Sequence, residues 1–402
     1  VKEVLAVLDS QEALPMLWRA SLSDDANERQ QFIAAAEHCH AHNVRFPNSL
    51  DEVQMLQSLG DSAFARYLLG CFWYSKRRYD EAVSCWRETL EKSPDYAPAH
   101  RLLGVYSWNK QQDATQALAY LQRAVALEPD NARFLFELDF LQKLLARPVH
   151  ERLTTLVERK AVVLKRDDLT AELLSLWNAS GHYADAAAIL DTRVFHPWKI
   201  TGQYLLNQLH RALQFIERGA FKQATDCLKA ALRYPDNLGE GRLPGQTDND
   251  IWYLLGYCAE QAGDAQQAAE YYQLARQGGS TLDAGRYYND QPADYLFWQG
   301  IALRKSGNPA QAEQHFRHFI DWAAQHRDDV PQVDFFAVSL PDLVVLDVSA
   351  QQRHQQHCLF IEALGHLGLG NVSACQQRIL QINPAHDKAH LIRHALQSGI
   401  FS

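Results

Sequence analysis

The chain has no apolar run near the roughly 18 residues that would span a bilayer, and no secretory leader is evident, so no membrane segment is expected. It has no excess of basic residues. Thirty-nine Lys and Arg stand against 48 Asp and Glu, a net charge of -9, without the basic stripe that a general nucleic-acid surface needs. None of its seven cysteines (Cys39, Cys71, Cys85, Cys227, Cys258, Cys358 and Cys375) forms a CxxC pair. Their odd number and apolar helical surroundings suit a reducing compartment, so a cytoplasmic location is expected. Proline is scarce, 14 in 402 residues, while 47% of the chain is hydrophobic, enough to bury a large core. The chain also lacks an initiator methionine, beginning Val1-Lys2-Glu3, and is expected to be a piece of something longer or an incomplete sequence.

What it does have is a glycine followed five residues later by a small residue. The pairs are Gly181/Ala186, Gly219/Ala224, Gly263/Ala268, Gly307/Ala312 and Gly370/Cys375. Around one of them, Trp252, Leu255, Gly256, Gly263, Ala268, Tyr272 and Ala275 fall at fixed offsets. That is the tetratricopeptide pattern, a helix–turn–helix unit of about 34 residues. It predicts an all-α fold, a right-handed superhelical solenoid of tetratricopeptide-like repeats. Such a fold grows by adding units that touch only their neighbours.

Packing accounts for the pattern. Gly70, Gly104, Gly256 and Gly300 lie within first helices, where glycine costs about 1 kcal/mol against alanine. Close approach of the second helix is the expected compensation, with Ala82, Ala268 and Ala312 facing the glycine. Trp86, Tyr272 and Phe316 are expected to fill the wedge between neighbouring units. Gly263 and Gly307 supply a positive φ at the turn, and Pro94, Pro129 and Pro235 stop second helices.

The spacing drifts along the chain. Gly70 to Gly104 is 34 residues, but Pro94 to Pro129 is 35, which implies one inserted residue near Gln111–Asp113. Gly256 to Gly300 is 44, which places about ten inserted residues from Gly278 to Asp290. Three regions follow: a helical segment over 1–60, regular repeats over 61–145, and divergent repeats over 146–402 ending in a capping helix at 385–397. Ser49 is a candidate cap for a helix beginning near Leu50, and a helix is predicted over Phe134–Leu145.

Several segments go beyond a generic repeat: Arg166-Asp167-Asp168-Leu169, Phe195-His196-Pro197-Trp198, Tyr234 to Gly241, and Phe335 to Asp342. Together they resemble a bacterial family of large proteins in which a repeat-rich C-terminal half follows a domain of unknown function similar to galactose-mutarotase β-sandwiches. The resemblance covers roughly residues 60–400. It implies a parent protein joining a carbohydrate-related β-domain to this solenoid, and it carries over no catalytic residues. One departure stands out. The family has an acidic, glycine-rich stretch after His-Pro-Trp, whereas here Trp198 runs directly into Lys199-Ile200-Thr201-Gly202-Gln203-Tyr204. Either the chain has lost that loop or the loop is missing from this sequence; the matching flanks favour the second.

Candidate ligand-binding residues lie where the repeat rhythm fails. His196 and Trp198 pair an imidazole with an indole suited to stacking a sugar, or simply anchor an inter-repeat connection. Tyr287, Tyr288 and Asp290 present polar aromatic tips, or form an exposed loop with a capping acid. Asp334 and Asp342 bound an apolar strip expected to be extended, either lining the solenoid or plugging it. Glu240, with Asp248 or Asp250, would need carboxylates about 5–10 Å apart to run glycoside chemistry. Asp168 is expected near a helix N-terminus, stabilised by the helix dipole.

Two histidine groups resemble metal sites. His38 and His42 are one helical turn apart, and His386, His390 and His394 follow at i, i+4 and i+8. Neither has the Glu of HExxH, and a pair at i, i+4 needs a third ligand and supporting partners to hold zinc, so each is read as a solvated or partly packed face. No metal, cofactor or catalytic residue is expected.

The reading that follows is a scaffold or docking module. Its partner is expected to be its own N-terminal β-domain or another protein, with carbohydrate as the alternative and nucleic acid and membrane set aside. Arg66, Tyr67, His100, Trp252 and Phe297, all on first helices, are expected on the concave face or just beneath it. The competing expectation is that the solenoid completes a sugar-binding or sugar-processing site with the β-domain.

Overall fold

The computed structural model describes residues 12–42, 45–196, 200–242, 245–284, 290–331 and 345–401. Among them every regular element is helical. The chain divides into two compact units, Val1–Leu138 and Asp139–Ser402. The first holds α1 (Ala13–Leu22), α2 (Ala26–His42), α3 (Leu50–Ser58), α4 (Ala63–Ser75), α5 (Tyr79–Lys92), α6 (Ala97–Tyr106), α7 (Ala114–Leu127) and the start of α8 (Ala132–Leu144). The second holds the rest of α8, then α9 (Val149–Glu158), α10 (Lys160–Val163), α11 (Asp167–Ala179), α12 (Tyr183–Leu190), α13 (Ile200–Glu217) and α14 (Phe221–Ala231). It continues with α15 (Asn249–Gln261), α16 (Ala265–Ala275), α17 (Tyr295–Lys305), α18 (Pro309–His326), α19 (Ala350–Gly368), α20 (Val372–Ile379) and α21 (Asp387–Gln397).

Helix starts follow local chemistry. Ser49 caps α3 through a reciprocal box: its hydroxyl accepts from the Glu52 amide at 3.3 Å, and the Glu52 carboxylate accepts from the Ser49 amide at 3.0 Å. Asp113 and Asp264 accept from Gln116 and Gln267 amides to start α7 and α16. Asp167 and Asp168 open α11, as the dipole argument requires.

The predicted pairing is present. In the first unit α4 packs on α5 and α6 on α7; in the second α11 on α12, α13 on α14, α15 on α16, α17 on α18, and α19 on α20. Gly181, Gly219, Gly263, Gly307 and Gly370 turn the chain with φ of 81°, 69°, 83°, 82° and 81°. The small residues after them, Ala186, Ala224, Ala268, Ala312 and Cys375, are all buried.

The helix-interior glycines pack differently from expectation. A Cβ on Gly256 would lie 2.7 Å from the Tyr272 ring, and one on Gly300 would lie 2.6 Å from the Phe316 ring. At Gly70 the obstacle is the Trp86 indole. The large residue of the motif therefore lies against the glycine of its own unit, while the alanine contributes through its backbone (Ala82 O against Gly70, Ala117 O against Gly104). Phe316 does both jobs, since it also fills the space over Gly368 of the next pair.

Both spacing anomalies are accommodated locally. The extra residue near Gln111 is taken up by a π-helical turn, Ser107–Gln111, that follows α6 and ends on Gln112 with φ 56°. The insertion after α16 is tied back by side chains of the first helices. Asn249 donates to the carbonyls of Ala275 and Gln277, and Gln299 to those of Gln277 and Gly279. Leu282 is buried, and its carbonyl meets His357 Nε2 of α19 at 2.7 Å.

In the second unit the first helices lie side by side, α11 on α13, α15 on α17, and α17 on α19. The predicted terminal helix, α21, packs on α11 and α13, helices that precede it by some two hundred residues. Its Ala389, Leu391, Ile392 and Ala395 join one apolar core running from Leu206 to Ile400.

Candidate interaction surface

In the first unit the first helices share a buried charge. Arg101 of α6 donates Nε and Nη2 to the two carboxylate oxygens of Glu137 on α8, at 2.7 and 2.6 Å, and Arg133 adds a third bond at 3.0 Å. The Glu137 side chain is 2% exposed. Removing a partner of such a pair is costly because it strands the other charge. Beside it Tyr67 packs on Tyr96, ring centroids 5.2 Å apart. Burial pushes the Cys71 thiol up to about 12, against the opposing hydrogen bonds of Tyr67 and Trp86.

In the second unit the corresponding face holds α21 through polar contacts from successive first helices. Asp387 accepts from Ser175 of α11 at 2.6 Å and from Gln203 of α13 at 2.7 Å. Lys388 Nζ lies 3.1 Å from Asp294 and 3.7 Å from Asp250, over the Tyr295 ring. Burial opposes the Lys388 charge, but the two aspartates hold its pKa above the usual lysine value. Nearer the other end, Tyr183, His210 and His394 stack with centroids 5.0–5.5 Å apart. The His394 and His210 Nδ1 atoms approach to 2.9 Å, and His394 Nε2 lies 3.3 Å from Glu217. Burial, then the neighbouring imidazoles, depress His210 to about 3. Beyond α21, the Ile400 carbonyl accepts from Tyr253, and Phe401 packs on Phe297 and Trp298.

The predicted residues fall out as follows. Arg66, Tyr67, His100, Trp252 and Phe297 all lie on first helices. Tyr67 and Phe297 are buried. Arg66 is part-buried, 3.3 Å from Glu88, and His100 Nε2 donates to the Pro94 carbonyl at 2.8 Å. Trp252 stacks on Tyr271 at 5.9 Å. His196 is 96% exposed and bonded to Asp167 at 3.0 Å. Burial would raise the Asp167 pKa, but hydrogen bonds from Arg193 and His196 hold it below the usual range. Phe195 N donates to the Asn237 carbonyl at 2.8 Å, which joins this loop to the turn before Glu240. Glu240 accepts from Thr201 at 3.0 Å. Asp248 and Asp250 are buried against Arg242 and Lys388 respectively, so each already has a cationic partner. Asp290 is exposed beyond the insertion. Trp198, Tyr287, Tyr288, Asp334 and Asp342 lie outside the described residues, as does the predicted extended strip.

The three histidines of the terminal helix turn to different partners. His386 Nδ1 accepts from the Ala389 amide and caps α21, His390 Nε2 donates to the Pro384 carbonyl, and His394 joins the ring stack. Among the described residues no three His, Cys, Asp or Glu side chains converge as metal ligands. The Lys388 contact with Asp250 and Asp294 escaped the sequence reading. Its trace was the polar periodicity of the terminal helix, which names no partner.

These features define an all-α assembly of stacked helix–turn–helix pairs whose first helices build the candidate surface. The sequence profile of the tetratricopeptide repeat matches residues 74–132 and 209–285. Similar solved structures include YrrB, a TPR protein with an unusual peptide-binding site, at 12% identity over 55% of this chain and 89% of that chain, TM-score 0.30. Naa15/Naa10 bound to HypK-THB matches at 12% identity over 93% of this chain and 64% of that chain, TM-score 0.39. PilW, a widely conserved type IV pilus biogenesis factor, matches at 13% identity over 66% and 92%, TM-score 0.20. No helix among the described residues is long and apolar enough to cross a membrane.

Proposed function

We propose that this chain is a docking scaffold that recognises a protein segment on the faces built by its first helices, as one part of a larger cytoplasmic protein. One observation carries the reading: in the second unit that face holds a helix through side chains drawn from α11, α13, α15 and the residue that precedes α17. A surface that grips one amphipathic helix by charge and shape has the chemistry to grip others. The partner is the chain's own N-terminal β-domain or another protein, with neither nucleic acid nor membrane as a target. The regular repeats over 61–145 and the divergent ones over 146–402 both contribute. Seven unpaired cysteines, five of them buried, support the cytoplasmic assignment. The test is a displayed-peptide selection against the intact chain. Selected peptides should lose at least tenfold in affinity, about 1.4 kcal/mol, when Arg66→Glu or His100→Glu is introduced with helical content unchanged. Peptides indifferent to both changes would remove the first-unit face from the proposal.

A second reading rests on one local arrangement. The His196 loop and the turn before Glu240 are hydrogen-bonded together, and His196 is oriented by Asp167. That gathers polar residues suited to sugar hydroxyls on one rim, where a mutarotase-like β-domain would complete the site. A thermal-shift screen with mono- and oligosaccharides tests it by mass action. Stabilisation of the parent but never of this chain places the sugar site elsewhere, and stabilisation of neither removes the carbohydrate reading.

A further inference from the structure

We propose that the inner face of the second unit is a helix-recognition site occupied in cis by α21, and that its external partner is an amphipathic helix of the same pattern. This rests on the docking reading above and specifies its ligand. The pattern is an acid–lysine pair in the first turn (Asp387, Lys388), aliphatic residues one turn on (Leu391, Ile392), then a small residue beside an imidazole (Ala395, His394).

Three observations support treating α21 as a ligand. Its polar contacts are selective ones. Asp387 is read by a hydroxyl and an amide, Lys388 by two carboxylates and an aromatic face, and His394 by an imidazole, a phenol and Glu217. Paired charges of this kind discriminate between helices more than they stabilise any one of them. Its packing is uneven. Leu391, Ile392 and Ala395 are buried and α21 packs on α11 and α13, whereas a half-open pocket of about 540 Å³ lies where it meets α20, lined by Val372, Ile379, Leu380, Leu396 and Phe401. Finally, α21 belongs to none of the five helix pairs of the unit, and one short segment, 380–386, connects it to them.

The charge complementarity sets the partner's chemistry. Asp250 and Asp294 are at most 11% exposed and face the first turn of the bound helix, so they require a cation there. A helix with a neutral or acidic residue at that position would leave two carboxylates uncompensated.

The experiment uses the full chain, wild type and Lys388→Glu, with a labelled synthetic peptide of residues 383–401. Hydrogen exchange should show 387–397 opening at least a hundredfold more readily in the variant while 249–261 stays protected. The peptide should bind the variant at least tenfold more tightly than wild type, and a peptide carrying the same Lys388→Glu change should bind at least tenfold more weakly. If the variant loses protection throughout 167–368, α21 is a core element and the proposal falls. It also falls if the peptide binds both chains equally or neither. Selected peptides that still depend on Arg66 or His100 under those outcomes would leave the docking reading standing and sink only this inference.

Discussion

The two units satisfy buried charge over very different sequence distances. In the first, Arg101 and Arg133 meet Glu137 within one repeat length. In the second, Asp387 meets Ser175 and Gln203, and His394 meets His210, across some 180 to 210 residues. A simple repeat stack behaves as a sum of nearest-neighbour terms. The first unit shows such neighbour contacts, whereas α21 of the second touches helices from several repeats. Damage in the first unit should therefore stay within neighbouring repeats, and release of α21 should uncover side chains of several repeats at once without unfolding their helices.

The comparison can be broken most severely at Arg152. Its side chain is 1% exposed and bonds Asp139 at 2.6 Å and Glu172 at 2.9 Å. Arg152→Ala should cost about 3–5 kcal/mol by stranding Asp139, while Glu172 keeps Lys143 at 2.7 Å. Hydrogen exchange should then rise through the second unit while residues 50–130 keep their protection; unchanged exchange in 167–261 would contradict the account. Next comes Leu391→Ala, where a buried aliphatic side chain is lost at about 2–5 kcal/mol. Its signature is release, with exchange rising in 387–397 while α11, α13 and α15 keep their backbone protection. Faster exchange throughout α11, α13 and α15 would instead make α21 part of the unit's core.

Acid sharpens the comparison further. His210 is held neutral by burial, its pKa depressed to about 3. The unfolded chain takes up a proton near the ordinary histidine value and the folded chain does not. Stability of the second unit should thus be full above about pH 6.5 and fall below it, by up to about 1.4 kcal/mol per pH unit until His210 itself titrates. Denaturant titrations at pH 7 and pH 5 measure the slope, and His210→Phe should reduce it by the His210 share, because burial also lowers His315, His357, His386, His390 and His394. The smallest effect is Ser49→Ala, which removes the capping box of α3 at about 1 kcal/mol. Its exchange increase should remain within 50–58, and spreading into α5 or α7 would argue against local behaviour in the first unit.

The same distinction decides what was legible in the sequence. The turn glycines, their small partners and the Ser49 cap are local devices whose residues lie within one repeat, so their spacing exposes them. The contact of Phe316 with both Gly300 and Gly368 was half visible, because the sequence marks the aromatic but not which glycine it meets. The Lys388–Asp250–Asp294 contact was not visible at all. Nothing in periodicity says that the last helix returns to the first helices of the unit. The polar residues at the broken points of the rhythm proved easy to find and hard to assign: His196 and Glu240 lie on adjoining loops, while Phe297, expected on the concave face or just beneath it, is buried.

The π-helical turn at Ser107–Gln111 bears on how such a chain tolerates changes of length. An extra residue kept within a regular α-helix rotates everything after it by about 100°, since a turn holds about 3.6 residues. Here the added residue is absorbed between the two helices of one pair, and Asp113 still caps α7 on schedule. The pairing of α6 with α7 is preserved. Insertion and deletion at this turn are thereby uncoupled from the phase of the array, and repeats on either side are free to diverge in sequence without renegotiating their register.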